Sequence, residues 1–263
     1  MEKIKIKVFA KINLSLDITG VRSDGYHELD MLNTSVSIYD TISACKSKAS
    51  RVVMDGVEAG ENNTAVKALK LLKENFDINM DVEIQKGIPF SAGLGGSSAD
   101  ASGVFFCAHK LYELPLEDIM RLAVKVGCDV PYMLYGGGAR VQGVGEIVKP
   151  CKLPQLSLVI CQKEYGASTK EIYSKYDEIG SYPKVGDKFN ALEKAAVALN
   201  PNIKIAKKRL LKFTDRVFMT GSGSAYVGVF DSLEDAQKCV DEIGDDFIFK
   251  NLAFSVKGNL LLY

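Results

Sequence analysis

PFSAGLGGSSADAS, Pro89 to Ser102, joins an extended segment (Val82 to Gln85) to a helical run that continues through Leu111. Gly93, Gly95, Gly96 and Ser97 leave this junction almost without side chains. A side-chain-poor loop that opens a helix exposes unpaired backbone N–H groups at the positive end of the helix dipole, where an anion can approach closely. The pattern therefore points to a phosphate chain, although a glycine-rich turn between strand and helix also serves as a plain turn. Two familiar phosphate loops are excluded. A Walker A loop needs Lys-Ser or Lys-Thr after its second glycine, and none is present. The dinucleotide fingerprint fails where Ser98 stands in place of a third glycine, and the preceding chain does not open as a βαβ unit. What remains is Pro, three residues, Gly-Leu-Gly, then small and hydroxylated residues.

Upstream, Ile4, Ile6 and Val8 alternate with lysines, the period of a half-buried strand. A second strand is expected to set Ile12, Leu14, Leu16 and Ile18 on one face and Lys11, Asn13, Ser15 and Asp17 on the other. By pattern alone Lys11 reads as a solvated strand lysine. Arg22 to His27, RSDGYH, reads as a turn around Gly25, and Asn62 or Asn63 can cap a helix through Phe76. A further helix fits Leu116 to Val126. Asp129 precedes Val130-Pro131, where a proline is expected to end the helix and leave the carboxylate at its end, bonded to backbone or facing a site.

Past Pro150 the pattern restarts with a strand at Leu156 to Cys161 and helical stretches from Ser168, Phe189 and Ile203. Met219 to Ser224, MTGSGS, is a second glycine-rich turn between extended segments, and as a tight hairpin it would need no other explanation. A helix from Leu233 to Ile243 and strands at Ala253 to Val256 and Asn259 to Leu262 end the sequence. Strands and helices mixed without strict βαβ alternation indicate an α+β chain, divided near Pro150 into 1–150 and 151–263.

The chain has 263 residues, 47% of them hydrophobic and 25% charged, with a formal net charge of zero. No global field recruits nucleic acid or an anionic membrane, so any anion must be held locally. The opening MEKIKIKVFAKINLSL alternates and offers no signal-peptide core, and no run approaches the roughly 18 apolar residues of a membrane span. The six cysteines form no C-x-x-C pair, which favours free buried thiols over bridges or a zinc site. The cytoplasm is the expected location.

Pro-x-x-x-Gly-Leu-x-x-Ser-Ser resembles the phosphate-binding motif of the GHMP kinases (galactose, homoserine, mevalonate and phosphomevalonate). Ala-Lys-x-Asn-Leu at Lys11, R-x-D-G-Y-H, and G-x-D-V-P at Asp129 are similar to the branch that phosphorylates 4-diphosphocytidyl-2-C-methyl-D-erythritol. This chain departs from the usual loop of that branch, with Ser97 for a third glycine and Ala99 for a second serine. The resemblance implies an N-terminal α/β nucleotide domain, a C-terminal ferredoxin-like domain, and both substrates in the cleft between them. It implies ATP contacts from Pro89, Phe90, Ser91, Ala92, Gly93, Leu94, Gly95, Gly96, Ser97, Ser98 and Ala99. It further implies substrate contacts from Asn13, Tyr26, His27, Thr169 and Tyr173, the two tyrosines flanking a cytosine, with Asp129 as base and Lys11 stabilising charge. Mg²⁺ would accompany ATP, with no protein ligand assigned to it. The 219–224 turn is expected to pack on the first glycine loop, whereas Asn190-Ala-Leu-Glu193 is a landmark of the resemblance without a chemical argument of its own. The implied activity is an ATP-dependent step of isoprenoid precursor biosynthesis by a monomer or dimer. A mevalonate or homoserine kinase and a non-catalytic nucleotide sensor are the alternatives.

Overall fold

The computed structural model describes residues 2–180, 190–258 and 260–262. Phe189 and Asn259, where the sequence suggests a helix and a strand to begin, lie outside them.

Strands β1 (Lys3–Val21) and β2 (His27–Lys46) form one long antiparallel hairpin. Its turn closes as expected: Asp24 Oδ1 accepts the Tyr26 N–H at 3.1 Å, and Gly25 takes φ 84°, a conformation that favours glycine. The two strands expected before this turn are one strand, bent by register shifts at Phe9/Ala10 and Asn13/Ser15. The second shift overturns the expected alternation. Asn13 lies opposite Asn33 and Leu16 opposite Met31, two residues along β2, so Leu16 shares the face of Asn13 instead of that of Ile12. An extra residue at Leu14 is the physical cause.

The first half continues through β3 (Arg51–Met54), β4 (Val57–Glu58), α1 (Thr64–Phe76), β5 (Met80–Gln85), α2 (Gly96–Tyr112), α3 (Leu116–Val126), α4 (Val130–Tyr135), β6 (Ala139–Gly143) and β7 (Ile147–Pro150). Asn63 caps α1, its Oδ1 accepting the Ala65 N–H at 2.8 Å. Helix α2 is the central one and is buried on nearly every side, which its run of small and apolar residues permits. Gly103 is required there, because a Cβ would come within 2.3 Å of Ile42 and 2.8 Å of Val8 in the sheet. Pro131 does not end a helix as expected. It lies in the first turn of α4, where its missing N–H costs nothing.

The second half contains β8 (Ser157–Gln162), α5 (Thr169–Ile179), α6 (Glu193–Leu199), α7 (Lys204–Leu210), β9 (Val217–Met219), β10 (Tyr226–Phe230), α8 (Leu233–Glu242), β11 (Phe249–Val256) and β12 (Leu260–Leu262). The order β11-β8-β10-β9, all antiparallel, with helices between β8 and β9 and between β10 and β11, is the split βαβ arrangement of ferredoxin-like folds. The sheets are continuous: Ser255 and Val256 of β11 pair with Val36 and Ser35, and β12 pairs with β1 at Ile6 to Val8. The end of the chain thus returns to its beginning and holds the halves in one frame. Among the described residues, no helix is long and apolar enough to cross a membrane.

Candidate functional site

A cleft of about 1080 Å³ is lined from both halves, by the glycine loop, Lys11, Asp129 and the hairpin turn on one side and by the start of α5 and Gly221–Gly223 on the other. That volume suits a drug-sized ligand or more. The two glycine-rich segments meet at its floor. Gly93, at φ 76°, packs so closely that a Cβ would lie 2.1 Å from the Thr220 carbonyl oxygen, and a Cβ on Gly221 would lie 2.6 Å from that of Gly93. The Ser224 and Ala225 N–H groups donate to the Ser91 and Ala92 carbonyls, each at 3.1 Å. The expected packing of the 219–224 turn on the first loop is observed. Among the described residues no side chain caps Gly95 at the start of α2, and Gly95 to Ser98 line the cleft, so the first-turn amides are open to an anion there.

Lys11 is buried at 4% exposure, not solvated as its strand pattern suggests. Its N–H donates to Leu94 O at 3.0 Å, its Nζ donates to Asn13 Oδ1 at 2.8 Å, and Nζ lies 3.5 Å from Asp129 Oδ2. Gly95 adjoins it, since a Cβ there would stand 3.1 Å from Lys11 Cγ. Asp129 begins α4 but makes no capping bond among the described residues, and its carboxylate faces the cleft. Asn13 does not line the cleft; it lies beneath Lys11 as a joint. Its N–H donates to Thr220 Oγ1 at 3.0 Å, its Oδ1 also accepts the Gly221 N–H at 2.9 Å, and its Nδ2 donates to Asn33 Oδ1 at 2.7 Å. Asn190 holds the same turn from the other side, donating to Met219 O and Gly221 O at 2.8 Å, which supplies the chemical reason its sequence landmark lacked.

The eleven residues expected around the phosphates lie along the loop, and all but Ala99, which is buried in α2, line the cleft. Beside them sits a cluster that the sequence reading missed. Lys86 Nζ donates to Asp40 Oδ2 at 2.5 Å and Asp100 Oδ2 at 2.7 Å, all three side chains being buried. Asp40 Oδ1 accepts the Gly87 and Ile88 N–H groups at 2.7 and 2.8 Å and so fixes the segment that links β5 to the loop. Burial pushes the Asp100 carboxyl up; Lys86 opposes that shift and the neighbouring Asp40 adds to it. Burial works against the Lys86 charge, but Asp100 and Asp40 more than offset it and hold its pKa above the ordinary lysine value.

At the far end of the cleft Tyr26 is 60% exposed, and His27 Nε2 lies 2.7 Å from Asp177 Oδ1 of α5. The Tyr173 ring packs 4.8 Å from the His27 ring, and burial pushes its phenol well above the usual range. Thr169 Oγ1 is 3.0 Å from Ser222 Oγ. Ser168 caps α5 in a box with Glu171, which sets Thr169 and Tyr173 one turn apart on the cleft side.

Residues 63–137 match the family described as the GHMP kinases N terminal domain, and residues 177–248 match the GHMP kinases C terminal family. The chain is 34% identical, over all of both chains, to 4-diphosphocytidyl-2-C-methyl-D-erythritol kinase of Thermoanaerobacter pseudethanolicus. It is 37% identical to the enzyme of the same name from Clostridium tetani over 90% of this chain and 94% of that one. A crystal structure of 4-(cytidine 5'-diphospho)-2C-methyl-D-erythritol kinase superposes with a TM-score of 0.81 at 29% identity, covering 97% of this chain and all of the other. A homoserine kinase from Cytophaga hutchinsonii, at 18% identity and a TM-score of 0.72, shares the fold.

Proposed function

This chain belongs to the GHMP kinases, and we propose that it transfers the γ-phosphate of ATP to the 2-hydroxyl of 4-diphosphocytidyl-2-C-methyl-D-erythritol, a step of isoprenoid precursor biosynthesis. The observation that carries this reading is the 3.5 Å approach of Lys11 Nζ to Asp129 Oδ2 beside the uncapped start of α2. An alcohol is a poor nucleophile, and phosphoryl transfer depends on alignment and charge stabilisation. The amides of the glycine loop hold the phosphates, Asp129 accepts the hydroxyl proton, and the buried Lys11 ammonium stabilises the negative charge that develops as the oxygen attacks. Asn13 keeps Lys11 in place from below.

No group of three metal-ligating side chains occurs among the described residues, which fits a cation that arrives on ATP better than a resident one. Ser98, whose Oγ lies beside Gly127, is the loop hydroxyl that would hold Mg²⁺ together with the phosphates, and the ion would supply charge neutralisation when bound. Tyr26 and Tyr173 flank the cytosine, and Thr169 and His27 contact it. We take 1–150 as the nucleotide domain and 151–263 as its partner, in a monomeric or dimeric cytoplasmic protein whose six cysteines are all free thiols. The test is a coupled ADP-release assay with the cytidylyl acceptor beside mevalonate and homoserine. Release with the cytidylyl compound alone is expected. Release with another acceptor, or nucleotide binding without release, would overturn the assignment.

A further inference from the structure

The basic side chains that line the cleft already have acidic partners, with one exception. Lys11 Nζ lies 3.5 Å from Asp129 Oδ2, Lys86 donates to both Asp40 and Asp100, and His27 lies against Asp177. Lys170, in the first turn of α5, also lines the cleft and is exposed, yet it has no hydrogen-bond or ion-pair partner among the described residues. The acid beside it is taken: Glu171 accepts from the N–H and the hydroxyl of Ser168 at 2.8 and 2.6 Å, and the residue one turn on from Lys170 is Ser174. The other lysine of the helix, Lys175, does not line the cleft and is paired with Glu178 at 2.8 Å.

The place of Lys170 along α5 gives its free charge a use. The cleft face of the helix carries Thr169, Lys170, Tyr173, Ser174 and Asp177. Asp177 meets His27, whereas Thr169 Oγ1 lies 3.0 Å from Ser222 Oγ in the second glycine loop, so the helix runs from that loop toward the base end. Lys170 and Tyr173 are three residues apart and therefore neighbours on one face, and at a rise of about 1.5 Å per residue Lys170 lies about 4.5 Å nearer the glycine loops. A base stacked on Tyr173 brings the phosphates attached to its ribose within reach of the Lys170 side chain. We propose that Lys170 is a specificity-determining residue whose ammonium binds the diphosphate of the acceptor, separately from the glycine-loop amides that hold ATP. The inference rests on the placement of the cytosine beside Tyr173 proposed above. Two polyanions must share one cleft, and the second needs a counter-charge of its own. No bond of the acceptor's diphosphate is broken, so it requires charge more than close alignment, and a flexible lysine with three donors suits that task. Mevalonate and homoserine carry no diphosphate and gain nothing from it.

The test compares Lys170→Gln with wild type by steady-state kinetics, each substrate varied in turn, with CDP and cytidine as inhibitors competing against the acceptor at saturating ATP. KM for the cytidylyl acceptor and the inhibition constant of CDP should each rise about five- to tenfold, between the effect of an exposed ion pair and that of a hydrogen bond to a charged group. The inhibition constant of cytidine, which has no phosphate, and KM for ATP should stay within about twofold, because neither ligand meets the lost charge. Lys170→Arg should restore most of the difference between CDP and cytidine, and Lys170→Glu, which sets like charges together, should widen the loss. Added salt should weaken CDP more in the wild type than in Lys170→Gln. Lys170 is exposed, so its replacement should leave the urea midpoint unchanged. Lys170→Gln protein that binds CDP as the wild type does, that loses CDP and cytidine alike, or that shows a raised KM for ATP alone overturns the inference and leaves the kinase reading intact. Wild-type protein that does not phosphorylate the cytidylyl acceptor overturns both.

Discussion

The two ends of the cleft are built differently. At the phosphate end, two glycine loops are joined by backbone hydrogen bonds, Ser224 to Ser91 and Ala225 to Ala92, and the polar side chains of Lys11, Asn13, Lys86, Asp40 and Asp100 are buried. At the base end, the halves meet through the side chains of His27 and Asp177, Thr169 and Ser222 approach each other within the second half, and Tyr26 stands mostly in solvent. Charge that develops over a few tenths of an ångström is stabilised only by groups that do not have to move, whereas a stacked base tolerates small displacements. Under the proposed assignment, rigidity is therefore concentrated where phosphate would be transferred, and the contacts easiest to open lie where the acceptor would enter.

Asp129→Ala separates chemistry from architecture most sharply. Loss of a general base is worth roughly 10² to 10⁴ in rate, so turnover should fall by about that factor while ATP still binds, as single-turnover kinetics and an ATP titration would show. Near-normal turnover would remove Asp129 from the mechanism. Its side chain is partly exposed, so the variant should unfold at nearly the wild-type urea concentration. Lys86→Met should do the reverse in the equilibrium measurement. Removing the cation beside the buried Asp40 carboxylate leaves that charge uncompensated, at a cost of about 3–5 kcal/mol, read as a lowered urea midpoint. A Lys86→Met protein as stable as wild type would show that the cluster does not anchor the loop.

This contrast also marks what the sequence could reveal. The glycine loop, the Gly25 turn, the Asn63 cap and the helix after Leu116 are local patterns, legible because their partners lie within a few residues. Lys11 and Asp129 were legible only through family resemblance, since their meeting depends on a fold that brings residue 11 against residue 129. The Lys86 cluster was not legible, because its partners stand 46 and 14 residues away and its charges are those of any solvated surface. The Leu14 bulge escaped for another reason: an alternating strand and a bulged one have the same composition, and only the pairing with β2 shows which residue is extra. Pro131 misled because a proline that stops one helix and one that starts another look alike until the chain on both sides is seen.

At the base end the expected effects are smaller and confined to one substrate. Tyr26→Ala should raise KM for the cytidylyl acceptor by the equivalent of about 1–3 kcal/mol, the range for an aromatic ring stacked on a base, and leave KM for ATP unchanged. Steady-state kinetics with each substrate varied in turn decides it. Equal increases in both constants would make Tyr26 a structural residue. Because the ring is 60% exposed, its loss should not move the unfolding transition.

The smallest effect expected is a slope in stability with pH, and its sign is the informative part. Most carboxylates in folded proteins are favoured in the charged form, and stability then rises with pH through the acid range. Asp100 is the opposite case: burial first, then the neighbouring Asp40, against the pull of Lys86, raises its carboxyl from the ordinary range to about 8. Between about pH 4, the ordinary value, and about pH 8, the folded chain holds a proton at Asp100 that the unfolded chain has released. Stability from this group must therefore decline as pH rises across that window, by at most about 1.4 kcal/mol per pH unit for a single proton. Lys86 does not confuse the measurement, because a raised lysine contributes fully below the ordinary lysine range and loses that contribution only above it. Urea midpoints between about pH 5.5 and 8, where ordinary carboxylates are already ionised, should fall for the wild type and flatten for Asp100→Asn. Parallel curves for the two proteins would mean that Asp100 is charged in the folded state and that Lys86 balances both of its carboxylate neighbours. In that case the phosphate end would carry one more negative charge beneath its loop, and the amides at the start of α2 would have to outweigh it to bind ATP.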